Sequence, residues 1–161
     1  MFVIPLCTKN LKEDGFFYGY ASVFNVVDHD GDVVVAGAFQ KSLDAWESKK
    51  EKPLMLWQHE PAVVIGQWHD MSEDIYGLAV RGQIDLSHHA GQHVYHMMQA
   101  GDVKGLSIGF VPSNTLKRHG RRYLCEVDLR EVSVVTEACN RMACVTQVLS
   151  KAAEATILSH F

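Results

Sequence analysis

The stretch Gly105-Leu106-Ser107-Ile108-Gly109-Phe110 sets a serine between two glycines, where other backbone can approach it closely. Leu106, Ile108 and Phe110 alternate with Ser107 and Gly109, the period of a strand with one face in a core. That pattern puts the hydroxyl opposite three large apolar side chains. A serine becomes a nucleophile only where a base reaches it, and the base needs an orienting acceptor on its far side. Two other residues have the right type. His59 ends the apolar segment Leu54-Met55-Leu56-Trp57-Gln58-His59, and imidazole titrates close to neutral pH. Glu131 sits in the middle of the segment from Cys125 to Thr136, where an unpartnered carboxylate is costly to desolvate. On spacing alone His59, Ser107 and Glu131 are compatible with a triad without specifying one. An arbitrary serine in a strand is most often a small polar residue in a sheet.

Other chemistries written in the same chain are weaker. The serine string matches G-x-S-x-G, but a nucleophile elbow needs a helix after the serine, with acid and histidine downstream. Here Pro112 opposes a helix, and only His119 and His160 follow. His89, His93 and His96 share a helical face and could ligate zinc, yet no neighbouring cysteine or carboxylate closes the set. Asp28-His29-Asp30-Gly31-Asp32 superficially looks like a calcium loop. Counted from Asp28, however, Val33 and Phe39 stand where that loop needs glycine and glutamate. A solvated turn with Asx hydrogen bonds is the expectation. The four cysteines, at 7, 125, 139 and 144, form no C-x-x-C pair and fit a reduced intracellular protein. No cofactor or metal is expected.

The elements that must carry these residues follow from periodicity. Strands are expected at Met1 to Leu6, Phe16 to Asn25, Val33 to Val35, Leu54 to His59, Val63 to Trp68 and Ile75 to Asp85. Asp70 to Asp74 reads as a turn between the last two. The serine strand leads to a hairpin turning near His119-Gly120, whose basic residues Lys117 to Arg122 read as a solvated tip. Cys125 to Thr136 is the last long strand. A first helix is expected over Ala38 to Lys50, with Phe39, Leu43 and Trp46 on one stripe. A second runs from about His88 to Ala100, with Ser87 as N-cap and Gly101 as a left-handed C-cap. Many strands, two helices and few βαβ repeats give a mainly β fold with flanking helices (α+β): a mostly antiparallel barrel or sandwich. Residues 1–147 form one domain on this reading, and 148–161 a C-terminal helix or flexible tail.

With 161 residues, 47% of them apolar, the chain suits a globular domain with a real core. A net charge of −4 gives no electrostatic footprint for nucleic acid or anionic membrane. No apolar run approaches the ~20 residues of a membrane helix, and Met1 to Leu6 lacks the charged start of a signal peptide.

The strings around the three candidate residues carry a family resemblance. Gly19-Tyr20-Ala21-Ser22-Val23-Phe24, Asp28 to Asp32, and Gly37-Ala38-Phe39 with Lys41-Ser42-Leu43 resemble the opening of tailed-phage prohead proteases of the HK97 type. Leu56 to Pro61 with Ile65-Gly66 resembles that family's histidine segment. Ala100-Gly101 and Gly105 to Phe110 resemble its serine segment, and Val127 to Thr136 the strand that follows. Four strings in matching order span about Gly19 to Val145. The resemblance implies a maturation serine protease with the herpesvirus-assemblin type of β-barrel, needing no cofactor. Such an enzyme works in the host cytoplasm inside the immature capsid, cleaving scaffold or the scaffolding segment of the major capsid protein, and finally itself. It puts the nucleophile on Ser107 and the base on His59. Its third member is Glu131 or the nearby Asp128; three positions apart, these face opposite ways in a regular strand, and Glu131 is chosen. An inactive capsid or scaffold-associated protein on the same fold is the alternative. One departure stands out: the family usually continues after Thr136 with an aromatic residue, proline and alanine-asparagine, where this chain has Glu137-Ala138-Cys139-Asn140.

Overall fold

A computed structural model describes residues 13–150. The expected strand at Met1 to Leu6, Cys7 and the segment 151–161 lie outside the described residues. The chain runs β1 (Glu13–Val23), β2 (Asp32–Val34), α1 (Gln40–Ser48), β3 (Leu54–Trp57), β4 (Glu60–Glu73), β5 (Gly77–Ile84), α2 (His89–Ala100), β6 (Gly105–Arg118), β7 (Arg121–Val135) and β8 (Val145–Ser150). β8 thus continues past the boundary expected after residue 147.

All eight strands join one curled sheet in the order β2-β7-β3-β4-β5-β1-β8, with β6 on β7. The mainly β class with flanking helices holds, but the sheet is mixed, which corrects the expected mostly antiparallel pairing. β2 and β3 both run parallel to β7, one along Arg122–Leu124 and the other along Glu131–Val134. The remaining pairings are antiparallel. The cause lies in α1, which connects β2 to β3 along one edge of β7 and fills the gap between them. There the helix region takes over the hydrogen bonds a strand would supply. Ala38 O accepts the Val127 N–H, Ser42 Oγ accepts the Leu129 N–H, and Trp46 Nε1 donates to Leu129 O. At the other end of the sheet, Leu106 N–H donates to Ala143 O and Val145 N–H to Lys104 O, tying the chain before β8 to β6.

The core lies inside the curl, where Phe17, Phe39, Met55, Ile65, Leu78, Ile84, Leu106, Leu124 and Leu129 are essentially inaccessible. β6 passes straight through Pro112, whose ring is accommodated by a register shift before Asn114. The hairpin turns at His119-Gly120, both with positive φ, as expected.

Several local expectations are revised. The polar segment Asp70 to Glu73 is strand rather than turn, paired with Leu78 to Arg81. Its charges are engaged across strands: Asp70 accepts from Arg81 Nε at 2.5 Å, and Glu73 accepts the N–H groups of Gly37 and Phe39 ahead of α1. The turn is Asp74 to Tyr76, with Asp74 Oδ1 accepting the N–H groups of Tyr76 and Gly77. His88, not Ser87, is the N-cap position of α2, because the Ser87 hydroxyl bonds Asp85 instead. Gly101 is the left-handed C-cap. No helix among the described residues is long and apolar enough to cross a membrane.

The basic cluster also divides. Lys117 to Arg121 is solvated, but Arg122 forms a two-pronged ion pair with buried Asp32 at 2.7 and 2.6 Å. This pair ties β2 to β7, and the neighbouring acids hold the Arg122 guanidinium above its ordinary pKa, chiefly through the Asp32 hydrogen bonds. Asp32→Ala strands half of a charge-assisted pair and is expected to lower unfolding free energy by about 2 kcal/mol, read as a shift in the urea midpoint. An unchanged midpoint would show that the pair contributes nothing to the fold.

Candidate active site

Ser107 stands on β6 directly opposite Ser133 of β7, and its side chain is nearly buried. Leu106 goes fully into the core, as the alternation requires. Ile108 and Phe110, expected on the face away from the hydroxyl, are only half-buried and line the same cleft as Ser107. Both pack against the core as the alternation requires, and the register shift after Gly109 falls on β7, where Arg130 is the extra residue.

His59 is placed by the tightest feature of the sheet. β3 and β4 are joined by the two residues Gln58 and His59, with Trp57 paired to Glu60. Both carry positive φ, 52° and 59°, the geometry of a two-residue hairpin turn. Left-handed backbone costs a non-glycine residue roughly 1–2 kcal/mol, and the turn is fastened accordingly. Gln58 N–H donates to Val134 O, its side chain exchanges two hydrogen bonds with Thr136, and His59 N–H donates to Ser133 Oγ at 3.0 Å. The imidazole is thereby held at the mouth of the cleft.

Glu131 reaches the same point from β7. Its Oε1 meets His59 Nδ1, and its Oε2 accepts from Ser133 Oγ at 2.8 Å. His59 Nε2 lies 3.0 Å from Ser107 Oγ. An ionised carboxylate can only accept, so the proton sits on Nδ1, and Nε2 offers its lone pair to the serine hydroxyl. All three expected residues come together. Asp128 does not join them; it is half-exposed and pairs with Arg130 at 2.5 Å.

Two supporting residues escaped the sequence reading. Ser133 is fully buried and bridges the His59 backbone to the Glu131 carboxylate. Its signal was available, since Glu131 and Ser133 are two apart on a strand and share a face. Gly109 lies opposite Glu131, and a Cβ there would come within 2.3 Å of Glu131 Oε1. The second glycine of the serine string therefore makes room for the acid's side chain, not for backbone.

The remaining candidates fall elsewhere. His89, His93 and His96 are exposed on α2 and are not gathered with any thiol or carboxylate among the described residues. The acidic turn has the expected Asx bonds, with Asp28 Oδ1 accepting the N–H groups of Asp30 and Asp32 at 2.9 and 2.8 Å. Burial, the hydrogen bond to Asp30 and the charge of Asp28 push the Cys139 thiol up to about 11. Burial likewise raises Cys144. Neither thiol is a thiolate nucleophile at neutral pH.

Ser107 and His59 share a cleft of about 160 Å³. Larger hollows beside α1 and along β4–β5, about 380 and 530 Å³, contain none of the three residues. A polarised hydroxyl at a surface cleft, backed by imidazole and carboxylate, can attack a carbonyl carbon.

Comparison with known proteins follows the same line. The family described as Caudovirus prohead serine protease matches residues 5–157. The prohead protease of Enterobacteria phage HK97 is 36% identical over 142 residues, which cover 86% of this chain and 62% of that protein. The chain therefore spans somewhat under two thirds of the length of that relative. Among solved structures, the bacteriophage T4 capsid assembly protease superposes with a TM-score of 0.64 at 17% identity, over 82% of this chain and 87% of that one. KSHV protease, in complex with a hexapeptide phosphonate inhibitor, gives 0.53 at 12% identity, over 90% of this chain and 75% of that one. Varicella-zoster virus protease gives 0.51 at 13% identity, over 89% and 74%.

Proposed function

The chain belongs to the caudovirus prohead serine protease family, and from that premise we propose that it is a serine endopeptidase of phage capsid maturation with Ser107, His59 and Glu131 as its catalytic residues. One observation carries the reading: the His59 ring bridges Ser107 Oγ through Nε2 and Glu131 through Nδ1.

In the first half-reaction His59 Nε2 takes the Ser107 proton as Oγ bonds to the scissile carbonyl carbon. Glu131 stabilises the resulting imidazolium and keeps Nε2 aimed at the cleft without itself taking the proton. Collapse of the tetrahedral adduct breaks the C–N bond, and His59 passes its proton to the leaving amine. A water then enters, gives a proton to His59 and attacks the acyl-serine; its collapse returns the proton to Ser107 and releases the carboxylate product. Ser133 holds Glu131 and the histidine backbone in register throughout. The fold around this site is the finer reading of the curled sheet, a barrel of the herpesvirus-assemblin type, supported by the two herpesvirus protease superpositions. The substrates we assign are scaffold or the scaffolding segment of the major capsid protein, together with other copies of this chain. The place of action is the immature capsid in the host cytoplasm.

Confined with its own copies, such an enzyme is expected to cut itself. Intact-mass spectra of concentrated wild-type protein should show progressive shortening, and Ser107→Ala protein should keep its full mass. Millimolar EDTA should leave the rate unchanged, because the triad uses no metal. Shortening of Ser107→Ala at the wild-type rate, or arrest of wild type by EDTA with recovery on adding zinc, would sink the reading.

A further inference from the structure

One wall of the Ser107 cleft has a composition the triad does not use. The acidic turn between β1 and β2 brings Asp28 and Asp30 into the cleft, beside the apolar side chains of Val34, Ile108 and Phe110. Both carboxylates are held in place: Asp28 by two backbone N–H groups, Asp30 by the Cys139 thiol at 3.3 Å. Neither has an ion-pair partner within 4 Å among the described residues. The cation on the adjoining strand, Arg122, is already occupied in both prongs by Asp32. The turn thus holds three carboxylates against one engaged guanidinium. Ser22 lines the same cleft, is 1% exposed, and its Oγ has no hydrogen-bond partner among the described residues.

We infer that this cleft is a substrate side-chain pocket for lysine or arginine next to the scissile bond, with Asp28 and Asp30 meeting the cation. The inference rests on the serine protease reading above. Apolar walls suit the methylene stem of a long basic side chain, and the carboxylates at the acidic wall suit its head. The volume of about 160 Å³ leaves room for one such side chain. An apolar occupant would desolvate two carboxylates without supplying a partner, and an acidic one would add repulsion. The ligand atoms of Asp28, Asp30 and Cys139 do lie within 4.8 Å of one another, as a metal site would need. Against a metal, the third donor is a thiol already engaged as a hydrogen-bond donor to Asp30. A cationic side chain asks only for acceptors, and acceptors are what the wall presents.

The test uses three peptides identical except at the residue flanking the scissile bond, which is lysine, norleucine or glutamate. Norleucine keeps lysine's carbon stem and lacks its charge. Wild type is expected to favour lysine over norleucine in kcat/KM by about tenfold to a hundredfold, the usual worth of a charge-assisted hydrogen bond. Asp30→Asn, and independently Asp28→Asn, which keeps an oxygen for the turn's N–H groups, should each collapse that ratio towards unity. Asp30→Lys should move the preference to glutamate. Equal cleavage of the lysine and norleucine peptides by wild type overturns the inference, as does a ratio that neither asparagine variant changes. Selectivity abolished by EDTA overturns it in favour of a metal. If wild type cleaves no peptide and Ser107 takes no active-site phosphonate, the protease reading itself fails and this one with it. Labelling at Ser107 with no basic preference fails the pocket alone.

Discussion

His59→Ala is expected to lower kcat for peptide cleavage by a factor on the order of 10⁶, the scale of losing the base or nucleophile from a serine triad. Ser107 would keep its position on β6 but lose the imidazole nitrogen that meets its hydroxyl. The fold should survive, because the imidazole is 42% exposed and fills no part of the core. Alanine is strained at φ 59° much as histidine is, so the backbone term nearly cancels. His59→Asn gives a control that tolerates the left-handed turn better. Steady-state rates, alongside circular dichroism and thermal midpoints, check the expectation. A loss below about a hundredfold in a well-folded variant would mean that another group removes the proton.

Gly109→Ala should be nearly as damaging as removing the acid, although it touches neither the serine nor the histidine. The new Cβ would meet the Glu131 carboxylate and its Cγ, so the acid must swing away from His59 and Ser133. Gly109 does not have a positive φ, so alanine adds no backbone strain and the effect stays on the side chain. Loss of the orienting carboxylate costs roughly 10⁴ in kcat in a serine triad, and Glu131→Gln is expected to approach that value. Gly109→Ala should fall within tenfold of it. The two changes act on one contact, so the double variant Gly109→Ala/Glu131→Ala should be no slower than Glu131→Ala alone. Additive losses would show that Gly109 matters for some reason other than room for Glu131.

What could be read from the sequence was local or rested on residue type. β1, α1, the left-handed Gly101 and the His119-Gly120 turn all follow from patterns a few residues long. The three candidate residues could be picked out by type, Glu131 above all because a mid-strand carboxylate needs a partner, but the strings around them, through the family resemblance, grouped them as a triad. The misreadings come from partners distant in sequence. Asp70 to Glu73 looks like a turn until Arg81 and the start of α1 are available to engage its acids. Asp32 and Arg122 looked solvated because ninety positions separate the two halves of their ion pair. Parallel pairing of β2 and β3 on β7 could not be seen because no local signal says that a helix will complete a strand's hydrogen bonds. The acidic turn was rightly expected to carry Asx bonds, yet its place beside Ser107 depends on how the sheet curls.

The central claim is that Ser107 is the nucleophile, and a covalent label tests it most directly. A peptide phosphonate diester, incubated with wild-type protein and followed by digestion and tandem mass spectrometry, should leave one phosphonyl group per chain, on the Ser107 side chain. The same reagent should leave Ser107→Ala unmodified and should react with His59→Ala far more slowly. Stoichiometric label on another residue, or equal labelling of wild type and Ser107→Ala, would contradict the account.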